Sequence, residues 1–563
     1  MHRALFPFTG LLGLAALSYF VFPGHTILQS DTQIYLPILE HYWDSSALSQ
    51  DMIVRNPHVS FTVYDEVAIG LRRLTGLSFE AVLALQQVIF RWLGFLGVYL
   101  IATSMGLSVA PALFVTAVHA LGAWVSGPMV LVVEYEPIPR GFAVSLLLLA
   151  IGLAAHGRDW LAGVAASLAF LYHAPTVWPF WLVYFVLTLW PGVPAVMSRH
   201  VSGLAPLFTA VLILFALSRL QAGIGEPQQF LAQADQEWER LLRSRAPYNW
   251  VSIWLTPGSN ILGWWLTHYL LLWGLTLIAC WRLWRYAATD LKFFLIGMPL
   301  LGMLSVPVSY ICLDRLKWVF IPQAQPARAL LFAVAFAVLL GAVAAVRAME
   351  QQRYWETALW LLAVFAVPMQ NRVLELFMQK DPLARRRFLV AVLLCALTMA
   401  SLWLWRRFPR AGTIAVAGAA IVPFFTIPAA GRVTNNPRLH TPELAQLSAW
   451  ARSSTPMDAV FLFPDAGSSL TPGIFRARAL RAVYVDQKMG GQVNFLREFG
   501  MEWWRRWQDV MGCKLTPETL AHYREVGIDF IVVKPANRLA NRSPVFENAT
   551  YLVYHLTDGP PSG

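Results

Sequence analysis

Charge is what this 563-residue sequence has least of. Only 13% of its residues are Asp, Glu, Lys or Arg, against about 25% in an ordinary soluble domain, and that excludes a chain that is soluble throughout. Cysteine is scarce as well. Cys280, Cys312, Cys395 and Cys513 are the whole supply, none stands at a metal-ligand spacing, and only Cys513 lies beyond residue 430, so no zinc site is legible and the tail has no internal disulfide. Glycine-rich phosphate loops, a GxSxG elbow and an HExxH pair are absent too, which removes the usual anchors for P-loop, serine-hydrolase and zinc-protease chemistry.

Apolar residues fill the gap. They make up 57% of the chain at a mean hydropathy of +0.52. Runs close to the ~20 residues that cross a bilayer recur through residue 430, among them "FAVSLLLLAIGLAA", "LLFAVAFAVLLGAVAAV" and "FLVAVLLCALTMASLWLW". After Gly431 the chain becomes mixed, with ordinary charge density. The expected fold is a multispan α-helical membrane domain over 1–430 followed by a soluble α/β domain over 431–563.

With the N-terminus inside, spans fall near 4–22, 81–104, 107–127, 141–155, 160–173, 176–190, 201–219, 262–281, 291–311, 328–346, 355–370, 388–405 and 411–430. The first is an uncleaved span, since no small-x-small site precedes "PGHT". The inner turns are then "HGRD", "MSRH", "WRLWR", "RAMEQQR" and "RRFPR", and each carries the Arg that the positive-inside rule requires. One loop, "ARRRF" at 384–388, falls outside against that rule. The pair at 160–190 is short for two crossings, yet a single span there would invert everything downstream and break the rule at four turns. About thirteen spans, with the tail extracytoplasmic, is the expected topology. The net charge of +11 then belongs to turns between spans, and nucleic acid is not an expected partner. Asn541-Arg-Ser and Asn548-Ala-Thr fit the glycosylation pattern, which matters only in a eukaryotic secretory route.

In the tail, "ELAQLSAWARSS" and "EFGMEWWRRWQDVM" read as helices, and "TPETLAHYREVG" as a third that starts at Thr516-x-x-Thr519 and stops at Gly527. "AVFLFP" and "DFIVVKP" read as buried strands. Trp503, Trp504 and Trp507 form either a core face or an interfacial belt.

Chemistry, on this topology, belongs to the outer face. "QSDTQIYLPILEHYWDSSALSQD" sets acids and aromatics where the chain leaves its first span. Ser30-x-x-Gln33 fits a capping box, so Asp31 reads either as part of a helix start or as a catalytic or metal-binding carboxylate. Pro37 suits a first turn better than a helix interior. A helix running from 31 would put Asp31, Tyr35, Ile38 and Tyr42 on one stripe and Glu40 opposite. "VVEYEPIPRGF" brings Glu134 and Glu136 out of a span beside two stiffening prolines and Arg140, a guanidinium fork suited to phosphate; the two acids need a turn to converge. "YHAPTVW" puts His173 at a short hairpin tip, as a packed residue or a site residue. "LDRLKWVFIPQAQPAR" gathers Asp314, Arg315, Lys317 and Arg328, either as lipid-boundary anchors or as a cradle for a lipid phosphate. "FRARALRAVYVDQKMGG", with Lys488, is either a solvated rim or the lid of a membrane-facing site.

These pieces together resemble the GT-C class of polytopic glycosyltransferases, which pair an acidic first outer loop with a dozen or so spans and a soluble C-terminal domain. Locally, "SDTQIYLPILEHYWDSSALSQD", "PIPRGF", "YHAPTVW", "QAQPARAL" and "RAVYVDQKMGG" resemble segments of an uncharacterised bacterial group of membrane proteins akin to that class. The resemblance implies a bacterial inner-membrane enzyme that moves a sugar from a polyprenyl-phosphate carrier to an extracytoplasmic acceptor. It maps the first acidic motif onto Asp31, as base or metal ligand, and the second onto Glu134 and Glu136. Tyr35, Arg140, His173, Lys317, Arg328 and Lys488 would bind substrate or its phosphate. No tight Asp-x-Asp or Asp-Glu pair stands at 31, and the second motif uses Glu. The cofactor is therefore open between none and a divalent cation on Asp31 and Glu134. No oligomeric state is specified. The competing expectations are a non-catalytic protein for envelope glycan or lipid transport, for which Arg91 is the main in-span charge, and a receptor-like anchor that uses the tail alone.

Overall fold

Helix forms along the long apolar runs before residue 431. The structure, a computed structural model, describes residues 2–21, 26–57, 62–190, 194–220, 232–254, 265–370, 373–379, 382–432, 439–540 and 542–556; Asn541 of the first sequon lies outside them. Among the described residues eight helices are long and apolar enough to cross a membrane: Phe79–Ser104, Asp159–Leu189, Arg199–Arg219, Leu266–Leu283, Thr289–Arg315, Phe320–Glu350, Pro382–Arg407 and Pro409–Gly431. Four shorter apolar helices, Pro7–Leu17, Val109–Ala120, Pro139–Ala155 and Tyr354–Met369, lie at other expected spans. The chain is a multi-pass membrane protein. Length and composition alone thus qualify eight helices where thirteen spans were expected, because four are short and one, Asp159–Leu189, is a doubled element.

That element is continuous helix except at His173, whose φ of −159° and ψ of 81° leave the helical region. A straight helix would carry Tyr184 about 37 Å from Asp159, at 1.5 Å per residue. Instead the Tyr184 hydroxyl donates to Asp159 Oδ1 at 3.2 Å and to the His200 carbonyl at 3.1 Å. The helix folds back at His173, so 160–173 and 176–190 are the two arms of a hairpin with His173 at its tip. Small residues let these arms and their neighbours close up: a Cβ on Gly163 would collide with the Gly203 backbone, and one on Gly97 with the Leu148 backbone. At the centre lies Leu330–Glu350, an Ala/Val/Leu helix apolar all round and buried continuously from Leu330 to Val346.

The first loop carries Thr32–Trp43 and an amphipathic helix, Tyr64–Thr75. Pro37 does sit inside the first of these, so the helix runs through it, and Glu40 turns away to pair with Arg72 at 3.0 Å. The expected capping box does not form. Asp31 is the N-cap without a side-chain cap bond, and the Gln33 amide donates to the Leu28 carbonyl.

Strands β1 (Trp124–Val125) and β2 (Val130–Leu131) make a small hairpin in the second loop. The tail holds β3 (Val460–Leu462), β4 (Ala482–Val483), β5 (Phe530–Val533), β6 (Phe546–Glu547) and β7 (Leu552–His555), in the order β4-β3-β5-β7-β6. β3 is parallel to β4 and β5, and β7 is antiparallel to β5 and β6. Both expected strands are its central pair, and the three expected helices appear as Pro442–Ser454, Arg497–Val510 and Pro517–Glu525. The last has the Thr516/Thr519 capping box and Gly527 at φ +87° beyond its end. Trp503 is fully buried and donates to the Asp486 carbonyl at 2.9 Å, so the tryptophan cluster is a core face.

The tail is seated on the first loop and on residues 232–254. Trp238 donates to the Val493 carbonyl at 3.0 Å, Arg497 pairs with Asp235, and Val483 N–H donates to Asp51 at 3.1 Å. Arg476, fully buried, joins Asp486 at 2.6 Å and Asp51 at 3.7 Å and donates to the Gln33 carbonyl. An unpaired charge at this depth would cost several kcal/mol, so the triad locks loop and tail in one register.

Candidate active site

Glu136 is the keystone of the site. It stands in the second loop just before Pro137 and Pro139, and its carboxylate accepts the backbone N–H groups of Gln29 (2.9 Å), Ser30 (2.9 Å) and Asp31 (2.8 Å) and the Thr32 hydroxyl (2.5 Å). A carboxylate from more than a hundred residues away therefore satisfies the donors of the turn that leads into Thr32–Trp43, at the helix's positive end. The two donors of a Ser30/Gln33 box are taken elsewhere, Ser30 N–H by Glu136 and Gln33 N–H by the Ser30 carbonyl at 3.2 Å. This arrangement engages both carboxylate oxygens, Oε1 with three donors and Oε2 with Asp31 N–H, so Glu136 positions Asp31. Burial, with the charge of Asp31 close by, pushes its carboxyl up to about 7 against the pull of Thr32 and Ser30.

Held in this way, Asp31 faces a ring of cations. Lys488 Nζ stands 2.5 Å from its Oδ1 and 2.8 Å from Ser30 Oγ, and Arg140 Nη2 stands 3.9 Å from its Oδ2. Burial opposes ionisation of Asp31, but Lys488 and Arg140 outweigh it and hold the carboxyl well below the usual carboxylate range. Burial lowers Lys488, but Asp31, with Glu136 and Tyr248, raises it on balance, so both are charged at neutral pH. The Asp31 side chain still has 34% of its surface open.

Other sequence distances collapse onto the same spot. Arg140, buried, donates Nε to Glu134 at 2.8 Å, and Glu134 in turn gives its backbone carbonyl to Arg91 at 2.6 Å. Glu134 and Glu136 thus face different partners. Tyr35 packs against Tyr64 with ring centroids 5.1 Å apart, and burial and the Asp31 charge raise its phenol. His173, at the hairpin tip, bonds Thr176 at 2.8 Å and lies within charge reach of Arg140 and Arg328.

Arg328 differs from its neighbours. Its Nε is buried without a hydrogen-bond partner, its guanidinium stands 5.8 Å from the centroid of the Tyr248 ring, and Arg140, Asp31 and Glu134 are the charges around it.

Lys488 reaches the site because of the tail's own chemistry. Asp486, paired with Arg476, accepts Lys488 N–H (2.6 Å) and Met489 N–H (2.9 Å) through its other oxygen. The "VDQKMGG" turn is therefore pinned against Asp31 and is not a solvated rim.

Lys317 does not belong. It pairs with Glu239 at 2.5 Å beside Trp250, and Asp314 accepts from the backbone of Val251 and Ser252 at 3.2 Å. The cluster expected at 314–328 separates because a π-helical turn and a left-handed residue at Lys317 carry its first half toward 232–254; only Arg328 turns to the site. Sequence reasoning missed Tyr248, whose hydroxyl accepts from Asn494 at 2.7 Å. Its "APYNW" context gives no signal.

A divalent cation on Asp31 and Glu134 does not fit this arrangement. Asp31 faces Lys488 and Arg140, Glu134 faces Arg140, and Glu136 is filled by N–H and O–H donors. Among the described residues no three His, Cys, Asp or Glu side chains gather where an ion would need them.

A family model described as a domain of unknown function (DUF6798) matches residues 442–510, the stretch that carries Arg476, Asp486 and Lys488. No curated protein matches the chain in sequence. Among solved structures the chain is similar to the crystal structure of ArnT from Cupriavidus metallidurans in the apo state, at 12% identity and a TM-score of 0.48, covering 96% of each chain.

Proposed function

We propose that the chain transfers a sugar from a polyprenyl-phosphate-linked donor to an acceptor hydroxyl, with its tail on the extracytoplasmic face. The observation that carries this is Asp31: a partly open carboxylate, ionised at neutral pH, ringed by Lys488, Arg140 and the unmatched Arg328.

The step is a displacement at the anomeric carbon. The acceptor oxygen forms the new C–O bond, the bond to the carrier phosphate breaks, and its electron pair leaves on the phosphate, whose growing charge Arg328, Arg140 and Lys488 stabilise. The acceptor proton goes to Asp31 and from there to solvent or to the departing phosphate. A phosphate that draws Lys488 or Arg140 toward itself removes positive charge from Asp31. The proton affinity of Asp31 then rises at the moment a base is needed. No bound metal enters this account, because side-chain cations stand where one would act.

Transport without chemistry predicts charges that line a path. Arg91, the main candidate, instead donates to Ser18 Oγ at 3.0 Å and the Glu134 carbonyl at 2.6 Å and covers the Tyr19 ring.

Asp31→Asn, assayed in vesicles with a radiolabelled hexosyl polyprenyl phosphate and a membrane extract as acceptor, should abolish loss of label from the lipid while the protein still folds and inserts, with a lowered melting temperature. Transfer at the wild-type rate in that variant would end the proposal.

A further inference from the structure

The opposite end of the bundle holds a second polar cavity. Its distance from Asp31 follows from one helix. Gln87, near the start of Phe79–Ser104, bonds the Tyr135 carbonyl beside the site, whereas Arg347 bonds the Met105 carbonyl just past the end of that helix. The 18 helical steps from residue 87 to 105 span about 27 Å. The cavity measures about 390 Å³, within the ~300–1,000 Å³ of small-ligand sites. The ends of Trp265–Leu283 and Leu330–Glu350 wall it.

Its charges do not balance. Four arginines line it, Arg282, Arg285, Arg347 and Arg353, and the acids beside them are Glu356 and Glu350. Glu356 serves both Arg282 and Arg353, and Glu350 serves Arg347 at 2.6 Å. Arg285 meets no carboxylate among the described residues; its bond goes to the Tyr286 hydroxyl at 3.1 Å. Arg347, stacked 4.4 Å from the Tyr286 ring centroid, keeps a buried Nε with no partner.

A basic turn that merely anchors a helix is convex and solvated. This one is a concavity that gathers a surplus of positive charge around a buried, unsatisfied donor. Two tryptophans of its wall, Trp281 and Trp284, are 73% and 44% exposed, the placement of aromatics at a bilayer's headgroup level.

We propose that this cavity binds the phosphate of an anionic phospholipid in the leaflet opposite the Asp31 site. Arg285 and Arg347 take the phosphate oxygens, and Trp281 and Trp284 flank the glycerol and the first part of the acyl chains. Guanidinium–phosphate pairs of this kind are the strong, charge-assisted type, and basic pockets between spans are where such headgroups dock. The tryptophan wall is the reason to assign a lipid over a soluble anion.

The test uses the full chain in nanodiscs of phosphatidylcholine with a minor share of phosphatidylglycerol, with lipid that co-purifies after detergent extraction counted by native mass spectrometry. Wild type should hold phosphatidylglycerol enriched over its share in the disc. Arg285→Gln should lower that enrichment about tenfold, the loss of one charge-assisted contact, at an unchanged melting temperature. Arg285→Lys, which keeps the charge, should retain most of it. Equal retention of the two lipids, wild-type enrichment in Arg285→Gln, or displacement of the lipid by inorganic phosphate would each overturn the assignment.

Discussion

The two ends of this bundle treat positive charge in opposite ways. Near residue 31, Lys488, Arg140 and Arg476 each face a carboxylate within 4 Å, while Arg328 pairs with no carboxylate among the described residues. At the far end four arginines share two glutamates and open onto a cavity. A matched set can hold a reactive carboxylate ionised and aimed, and it releases a cation only when a stronger anion arrives. An unmatched set behaves as a standing receptor. Positive charge at a membrane surface is thus not one signal, and what separates its uses is where the acids sit.

The contrast breaks first at Arg476. Arg476→Met should leave Asp51 and Asp486 buried without a counter-charge and cost about 3–5 kcal/mol, read as a large fall in melting temperature in detergent and as release of the tail by limited proteolysis. A tail that stays seated would show that the triad is not the lock. Next in size is Lys488→Gln. It should remove most transfer activity and lower the melting temperature by less than Arg476→Met does, and combined with Asp31→Asn it should add almost no further loss, since the two act as a unit. Full additivity would mean that they serve separate steps.

A third effect concerns pH. The Glu136 carboxyl is raised in the folded protein, so between about 4.5 and 7 the folded state binds more protons than the unfolded one, and this group's contribution to stability falls as pH rises through that window. Asp31 has the opposite sign: its depressed carboxyl contributes stability that is lost only in strong acid, below the ordinary range. Melting curves of Glu136→Gln should lack the decline between pH 4.5 and 7, and an unchanged slope would remove Glu136 as its source. The smallest effect belongs to Lys317→Met, which breaks a partly exposed pair with Glu239 worth about 0–1 kcal/mol and should leave transfer untouched. A lost activity there would return Lys317 to the site.

Much of this was legible in the residues. Val, Ile and Phe crowd "FLF" and "FIVV" tightly enough to announce the central strands, and "YHAPT" marks a helix reversal that 31 apolar residues would otherwise conceal. Asp31, Arg140, Arg328 and Lys488 stand out as charges in the wrong surroundings. What failed did so through distance. Ser30 and Gln33 have the spacing of a cap, but Ser30 N–H goes to Glu136, 106 residues away, and Gln33 N–H goes to the Ser30 carbonyl. Lys317 lies eleven positions before Arg328, and a left-handed turn sends the two apart. Short edge strands such as Ala482–Val483 have too few residues to show a period of two.

The contact between Asp31 and Lys488 closes a circuit of 457 residues. At roughly 5–20 residues per second, the ribosome needs about 20–90 s between making one end and making the other. During that interval the spans can already be in the lipid, with a carboxylate exposed but no lysine to meet it. On the proposed reading a newly inserted chain is dormant until Lys488 has been made, and a product terminated before that residue, however well integrated in the bilayer, would never mature.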